Sequence, residues 1–171
     1  MPTREEIYDL AEQLGHLLLK RKIHCAVAES CTGGSLAAAI TDIAGCSQWF
    51  DRGFVTYTNK AKEQMLAVSG EAIVTFGAVS EQTARAMADG AIAASDADVS
   101  VSITGVAGPG GGSIEKPVGT VWIAWAGYLQ PTHSQCYQFT GDREAIRQQA
   151  VQTALQGLIK RCGTKALPVK T

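Results

Sequence analysis

The chain has 171 residues, 15 of them basic and 16 acidic, so its formal net charge is −1. This balance provides no general attraction to nucleic acid or to an anionic membrane surface. No stretch approaches the roughly 18 uninterrupted apolar residues of a membrane span, and the opening segment MPTREEIYDLAEQLG lacks the apolar core of a secretory signal. We therefore expect a soluble, cytoplasmic protein with one domain over 1–165 and a frayed tail over 166–171, which binds neither nucleic acid nor membranes.

The cysteines are odd in number and form no CxxC pair, which is typical of reduced thiols rather than of disulfides or zinc ligands. They are Cys25, Cys31, Cys46, Cys136 and Cys162. The sequence predicts no metal site and no cofactor.

The first half of the chain alternates helical and strand patterns. Apolar residues at helical spacing predict a helix from Glu5 to about Arg21, and a strand is expected from Ile23 to Ala28. A second helix should run from Thr32 or Gly33 to about Ile43. Aromatic and β-branched residues in 49–58 predict a second strand, followed by a short helix from Lys60 to Val68.

The second half continues this alternation and then closes with a hairpin. Ser80 is typical of an N-cap and predicts a helix to about Ser95. An alternating strand pattern over 98–104 leads into the glycine-rich TGVAGPGGG. Two strands over 118–128 and 132–139 should pair as a hairpin, and the last helix should begin at Asp142.

This order predicts an α/β fold, a three-layer α/β/α sandwich with a mixed, mostly parallel sheet of about five strands. Ligands bind at the carboxyl ends of parallel strands in such sheets. The loops ESCTGG, TYTNKAK and TGVAGPGGG follow the first three strands. They should therefore meet at one edge of the sheet and form a single site.

The loop ESCTGG contains two candidate nucleophiles. Ser30 lies where a strand gives way to a helix, where free N–H groups can stabilise an oxyanion. Cys31 is the rival, because a helix start favours a thiolate. Alternatively, Ser30 or Thr32 only caps the helix. The spacing alone leaves these alternatives open.

A serine nucleophile needs a base, and the histidines are poorly placed to be one. We expect His16 within the first helix, His24 at the buried start of a strand and His133 in the hairpin. Lys60 and Lys62 follow the second strand, and a lysine shielded beside Tyr57 would have a lowered pKa and could accept a proton. Alternatively, both lysines are solvated.

The glycine-rich loop could hold a phosphate through its backbone N–H groups, although it matches no standard nucleotide motif and could be a simple turn. Arg143 and Arg147 lie near the start of the last helix. Each could bind a phosphate or only decorate the surface.

Several segments in order, AESCTGG, DIAGCSQWFDRGFVTYTNKAK, GAVSEQTA, SITGVAGPGGGSIEKPVGTVWIA and FTGDREAIRQQA, resemble the competence/damage-inducible protein CinA carboxyl-terminal domain family. The resemblance covers about residues 5–160. Free-standing members hydrolyse the carboxamide of nicotinamide mononucleotide to nicotinate mononucleotide and ammonia, without metal or cofactor. A regulatory domain that binds a nucleotide without turnover, or an amidohydrolase for another pyridine nucleotide, is the alternative.

The resemblance implies a Ser/Lys dyad, with Ser30 as nucleophile, Lys62 as base and Tyr57 close by. It also favours a homo-oligomer. The residues expected to contact the substrate come from the first and third loops and the last helix: Glu29, Cys31, Thr32, Gly33, Thr104, Gly105, Gly108, Gly110 and Arg143.

Overall fold

A computed structural model describes residues 1–164 as a five-stranded sheet with helices on both faces. The predicted tail over 166–171 lies outside the described residues. In chain order the elements are α1 (Arg4–Arg21), β1 (Cys25–Glu29), α2 (Ser35–Thr41), a 3₁₀ turn (Cys46–Gln48), β2 (Phe50–Val55), α3 (Asn59–Leu66), α4 (Gly70–Phe76), α5 (Glu81–Ala93), β3 (Val99–Gly105), β4 (Thr120–Gly127), β5 (His133–Gln138) and α6 (Arg143–Gly163).

The strand order is β2-β1-β3-β4-β5. β1 lies parallel to both β2 and β3, and β4 is antiparallel to its two neighbours. Four strands therefore run in one direction and one runs against them. The predicted sandwich, its mixed sheet and its closing hairpin are confirmed.

Successive side chains of each strand face opposite layers of the sandwich. In β1, Val27 contacts the core beneath α1, α2 and α6, whereas Ala26 and Ala28 contact the core beneath α3, α4 and α5. Both faces of β1 are thus buried, as its five consecutive buried residues show. A central strand of this kind is a rigid base for the residues that follow it.

α2 begins later than predicted, and the polar segment before it is a turn. Gly33 and Gly34 adopt φ values of 58° and 97°, which side chains disfavour, and the helix starts only at Ser35. Residues 30–34 therefore form a separate loop at the carboxyl end of β1. Ser30 therefore lies in this loop and not in the helix.

α3 and α5 pack closely because of one glycine. A methyl group at Gly90 of α5 would collide with the carbonyl oxygen of Leu66, at the end of α3. α3 also carries Lys62. None of the helices within residues 1–164 combines the length and apolarity needed to cross a membrane.

Candidate active site

Ser30 directly follows β1, and the sheet holds its backbone. Its N–H donates to the carbonyl oxygen of Ile103 in β3 at 2.9 Å. The residue is only 8% exposed. Ser30 therefore lies between the ends of the two central parallel strands, where sequence patterns placed the site.

Lys62 reaches Ser30 from the neighbouring loop–helix unit. Thr58 caps α3, and one turn later Lys62 points back to the sheet, with Nζ 3.0 Å from Oγ of Ser30. The same Nζ donates to the carbonyl oxygen of Thr56 at 2.7 Å and lies 3.5 Å from that of Tyr57. The side chain of Lys62 is thus fixed by backbone carbonyls at the end of β2.

The environment of Lys62 shifts its ionisation toward the neutral form. Lys62 is 1% exposed, and burial lowers the pKa of its ammonium group to about 8. None of the ion pairs within residues 1–164 includes it, so no carboxylate offsets the loss of water. Lys60, by contrast, is exposed. The structure brings only Lys62 to Ser30.

Glu29 caps α2, which leaves the hydroxyl of Ser30 available to Lys62. The carboxylate of Glu29 accepts the N–H groups of Leu36 and Ala37, each at 2.9 Å, and has no exposed surface. Neither Ser30 nor Thr32 provides the cap, which removes the capping alternative for both. The carboxylate of Glu29 is directed into the protein, away from solvent.

The loop after Ser30 retains free N–H donors. Within the described part of the chain, the N–H groups of Cys31 and Thr32 have no hydrogen-bond partner, whereas that of Gly33 donates to the carbonyl of Ser30 at 3.0 Å. Two of the three N–H groups in Cys31 to Gly33 are therefore unpaired; Thr32 is fully buried, whereas Cys31 borders the cavity beside Ser30. Burial raises the pKa of the Cys31 thiol to about 11, which keeps that rival nucleophile protonated.

A cavity of about 290 Å³ opens beside the two side chains of the dyad. Its lining includes most of the predicted residues: Ser30, Cys31, Tyr57, Lys62, Thr104, Gly105, Gly108, Gly110 and Arg143. Glu29, Thr32 and Gly33 do not line it. Val106, Ala107 and Gly111 also line it and belong to the predicted glycine-rich loop, whereas Ala78 and Val79 lie outside the predicted loops.

Ala78 and Val79 join the site through Thr104. The hydroxyl of Thr104 donates to the carbonyl of Ala78 at 2.8 Å, which ties the end of β3 to the segment before α5. The sequence contains one indication of this segment: Ser80, which directly follows Val79, is the N-cap of α5. A helix that starts beside a sheet edge brings its preceding residues to that edge.

Tyr57 and Arg143 form the outer rim. The hydroxyl of Tyr57 accepts a hydrogen bond from Nη2 of Arg143 at 3.0 Å, and Nη1 of Arg143 donates to the carbonyl of Gly108 at 2.7 Å. Tyr57 lies beside Lys62 as predicted from the sequence: its carbonyl oxygen is 3.5 Å from Nζ, and its side chain is 57% exposed at the rim. These contacts therefore connect the loop after β2, the glycine-rich loop and α6.

The histidines lie elsewhere. His16, His24 and His133 are exposed, and none lines the cavity. The expectation that His24 is buried was wrong, because the strand starts at Cys25, two residues later than predicted, and the N–H of His24 donates to the carboxylate of Asp98 at the surface.

Comparisons with known proteins identify the family of this chain. Residues 7–162 match the model of the CinA C-terminal domain. A nicotinamide-nucleotide amidohydrolase PncC of Escherichia coli (strain K12) is 53% identical over 158 residues, which cover 91% of this chain and 94% of that protein. The PncC amidohydrolase of Enterobacter agglomerans is 51% identical over 162 residues, or 92% of this chain and 99% of that protein.

A solved structure shares the fold as well. The competence/damage-inducible protein CihA from Agrobacterium tumefaciens superposes with a TM-score of 0.90 at 46% identity, over 94% of this chain and 97% of that one. The resemblance drawn from the motifs is therefore confirmed. This chain belongs to the CinA C-terminal domain family.

Proposed function

We propose that this protein hydrolyses the carboxamide of nicotinamide mononucleotide to nicotinate mononucleotide and ammonia, with Ser30 as nucleophile and Lys62 as base. The observation that carries the proposal is the contact of 3.0 Å between a buried lysine and a serine that borders a cavity. Two relatives that are about half identical to this chain are named nicotinamide-nucleotide amidohydrolase PncC, which supports nicotinamide mononucleotide as the substrate.

The contacts of Lys62 suit a neutral amine. An amine has two hydrogens and one lone pair, and the carbonyls of Thr56 and Tyr57 can accept the two hydrogens. The lone pair then faces the hydroxyl of Ser30, which donates its hydrogen bond to Nζ. This is the arrangement that general-base activation of a serine requires.

In the first half of the reaction, Oγ of Ser30 attacks the carboxamide carbon while its proton passes to Lys62. The carbonyl oxygen becomes an oxyanion, which the N–H group of Cys31 stabilises. Lys62 then returns the proton to the amide nitrogen. The C–N bond breaks, ammonia leaves, and an ester between Ser30 and the nicotinoyl group remains.

In the second half, water attacks the ester and gives a proton to Lys62. The same N–H group receives the second oxyanion, and collapse of the intermediate breaks the ester bond. The proton on Lys62 returns to Oγ of Ser30. Nicotinate mononucleotide leaves, and the dyad is restored for another cycle.

The cavity offers distinct surroundings for the two ends of this substrate. Val79, Val106 and Ala107 provide apolar contacts for the pyridine ring. At the rim, Arg143 and the backbone of Gly110 and Gly111 suit the phosphate, since a guanidinium binds phosphate through paired donors. Arg143 would then exchange its contact with Tyr57 for the phosphate.

The proposal is tested by ammonia release from purified protein supplied with nicotinamide mononucleotide. We expect stoichiometric formation of ammonia and nicotinate mononucleotide, and none with the Ser30→Ala variant. A folded wild-type protein that binds the nucleotide without releasing ammonia would show that the cavity serves binding alone. Equal turnover by the Ser30→Ala variant would reject the dyad.

A further inference from the structure

Arg147, on the second turn of α6, contacts the loop that carries Ser30. Its Nη2 donates to the carbonyl oxygen of Thr32 at 2.8 Å and to Oγ of Ser35 at 2.9 Å. The hydroxyl of Ser35 donates to the same Thr32 carbonyl at 2.7 Å. One carbonyl of the loop is therefore held by two side chains, one of them cationic.

This contact is transmitted to the nucleophile through rigid peptide groups. The carbonyl of Thr32 and the N–H of Gly33 belong to one planar trans peptide, so they point in opposite directions. That N–H donates to the carbonyl of Ser30 at 3.0 Å. The Ser30 carbonyl in turn shares its peptide plane with the N–H of Cys31, one of the two free donors.

We propose that Arg147 is a positioning residue, whose hold on the Thr32 carbonyl aims the N–H of Cys31 at the oxyanion. The inference rests on the proposed function, because it concerns the donor used by Ser30. Arg147 does not line the cavity that contains Ser30 and Lys62, and its two hydrogen bonds go to the loop and to the start of α2.

The test separates turnover from substrate binding. Removal of an oxyanion donor typically costs about 10²–10³ in kcat, so a misaimed donor in Arg147→Met should lower kcat by roughly 10–100-fold, with KM within about threefold of wild type. Arg147→Lys should recover part of the loss, since both contacts come from a single nitrogen. Lys160→Met, an exposed change near the other end of α6, is the matched control and should leave kcat unchanged.

Ser35→Ala removes the other side-chain donor to the carbonyl of Thr32. It should lower kcat less than Arg147→Met does, and the double variant should lose less than the product of the two single effects, because both residues act on one group. If Arg147→Met does not fold, kcat of Ser35→Ala and of Arg147→Lys tests the inference. Unchanged kcat in both of these would overturn the inference.

A fluorophosphonate probe makes the test independent of the nucleotide substrate. Such a probe phosphonylates an activated serine: Oγ attacks phosphorus, fluoride leaves, and the phosphoryl oxygen occupies the oxyanion position. Labelling of Ser30 should therefore be slower in Arg147→Met than in wild type. If wild type fails to hydrolyse nicotinamide mononucleotide yet labels faster than the variant, the substrate proposal fails and this inference stands. Equal labelling rates, or a rise in KM at constant kcat, would contradict a positioning role.

Discussion

Nζ of Lys62 lies 3.0 Å from Oγ of Ser30, although 32 residues separate the two in the chain. Ser30 follows β1, and Lys62 lies on the helix after β2, the parallel neighbour of β1. The pairing of these two strands therefore determines whether the serine has a base. Their shared edge explains how two short loops form one reactive pair.

Ser30→Ala should abolish amide hydrolysis while leaving the fold and most substrate affinity intact. The hydroxyl makes no cap for α2, so its removal takes away only the nucleophile and a contact of Lys62. Cys31→Ala is the matched control and should retain turnover, because the buried thiol remains protonated. Ammonia release and equilibrium binding of the nucleotide would measure both effects. The reverse pattern, with Cys31→Ala inactive, would assign the nucleophile to the cysteine.

The pH dependence should report the ionisation of Lys62. The base works only when neutral, so kcat/KM should rise with pH through an apparent pKa of about 8 and level off above it. At pH 7 a group with a pKa near 8 is roughly one-tenth neutral, which suffices for turnover. A pH–rate series on the wild type measures this curve.

Lys62→Arg should be nearly inactive across the same pH range, because a guanidinium remains charged. Lys60→Ala, a change at an exposed lysine of the same helix, should follow the wild-type curve. Turnover by Lys62→Arg would remove this lysine from the mechanism.

Burial of Lys62 should also make stability depend on pH. Its pKa is about 8 in the fold against 10.5 for the free group, so between these values the unfolded chain binds the extra proton and stability rises with pH. The full change is about 3 kcal/mol, using 1.36 kcal/mol per pKa unit. Urea unfolding of wild type and Lys62→Met from pH 7 to 10.5 should show the wild type gaining on the variant. A constant difference between the two proteins would place Lys62 in water in the folded state.

The phosphate should matter for recognition through Arg143. A hydrogen bond to a charged group contributes about 1.5–3 kcal/mol, so the mononucleotide should exceed nicotinamide riboside by roughly 10–100-fold in kcat/KM. Arg143→Met should erase most of this preference, whereas Arg4→Met, at an exposed arginine outside the cavity lining, should preserve it. A preference that survives Arg143→Met would assign the phosphate to the glycine-rich loop alone.

Glu29→Gln should destabilise the protein. The amide would turn its NH₂ group toward one of the two N–H donors that the carboxylate now accepts, at a cost of about 1–3 kcal/mol. Glu12→Gln, an exposed change on α1, should leave the free energy of unfolding unchanged. Chemical denaturation measures both. Equal stability of Glu29→Gln and wild type would show that the cap contributes little.

The sequence predicts the sheet because the sheet depends on strong local patterns, whereas the choice of Ser30 over Cys31 and of Lys62 over Lys60 came from the family resemblance. Alternating strands and helices place Ser30 and Lys62 at one edge, and the structure joins them there. α4 escaped prediction, since its seven residues leave Val74 and Phe76 exposed and show no clear apolar face. Arg147 could not be singled out, because its partners lie more than 100 residues away in the chain. A homo-oligomer and a cytoplasmic location stay predictions.

The position of the base, Lys62, depends on Gly90, a residue that borders no part of the cavity. The carbonyl at the end of α3 occupies the space that a side chain at this glycine would need. A single added methyl group must push the two helices apart, and Lys62 would move with α3. Random mutagenesis scored by ammonia release should therefore recover substitutions at Gly90 among the variants that fold and fail to turn over. In a variant library, the tolerance of catalysis for mutation would then depend in part on the face of α5 that packs against α3.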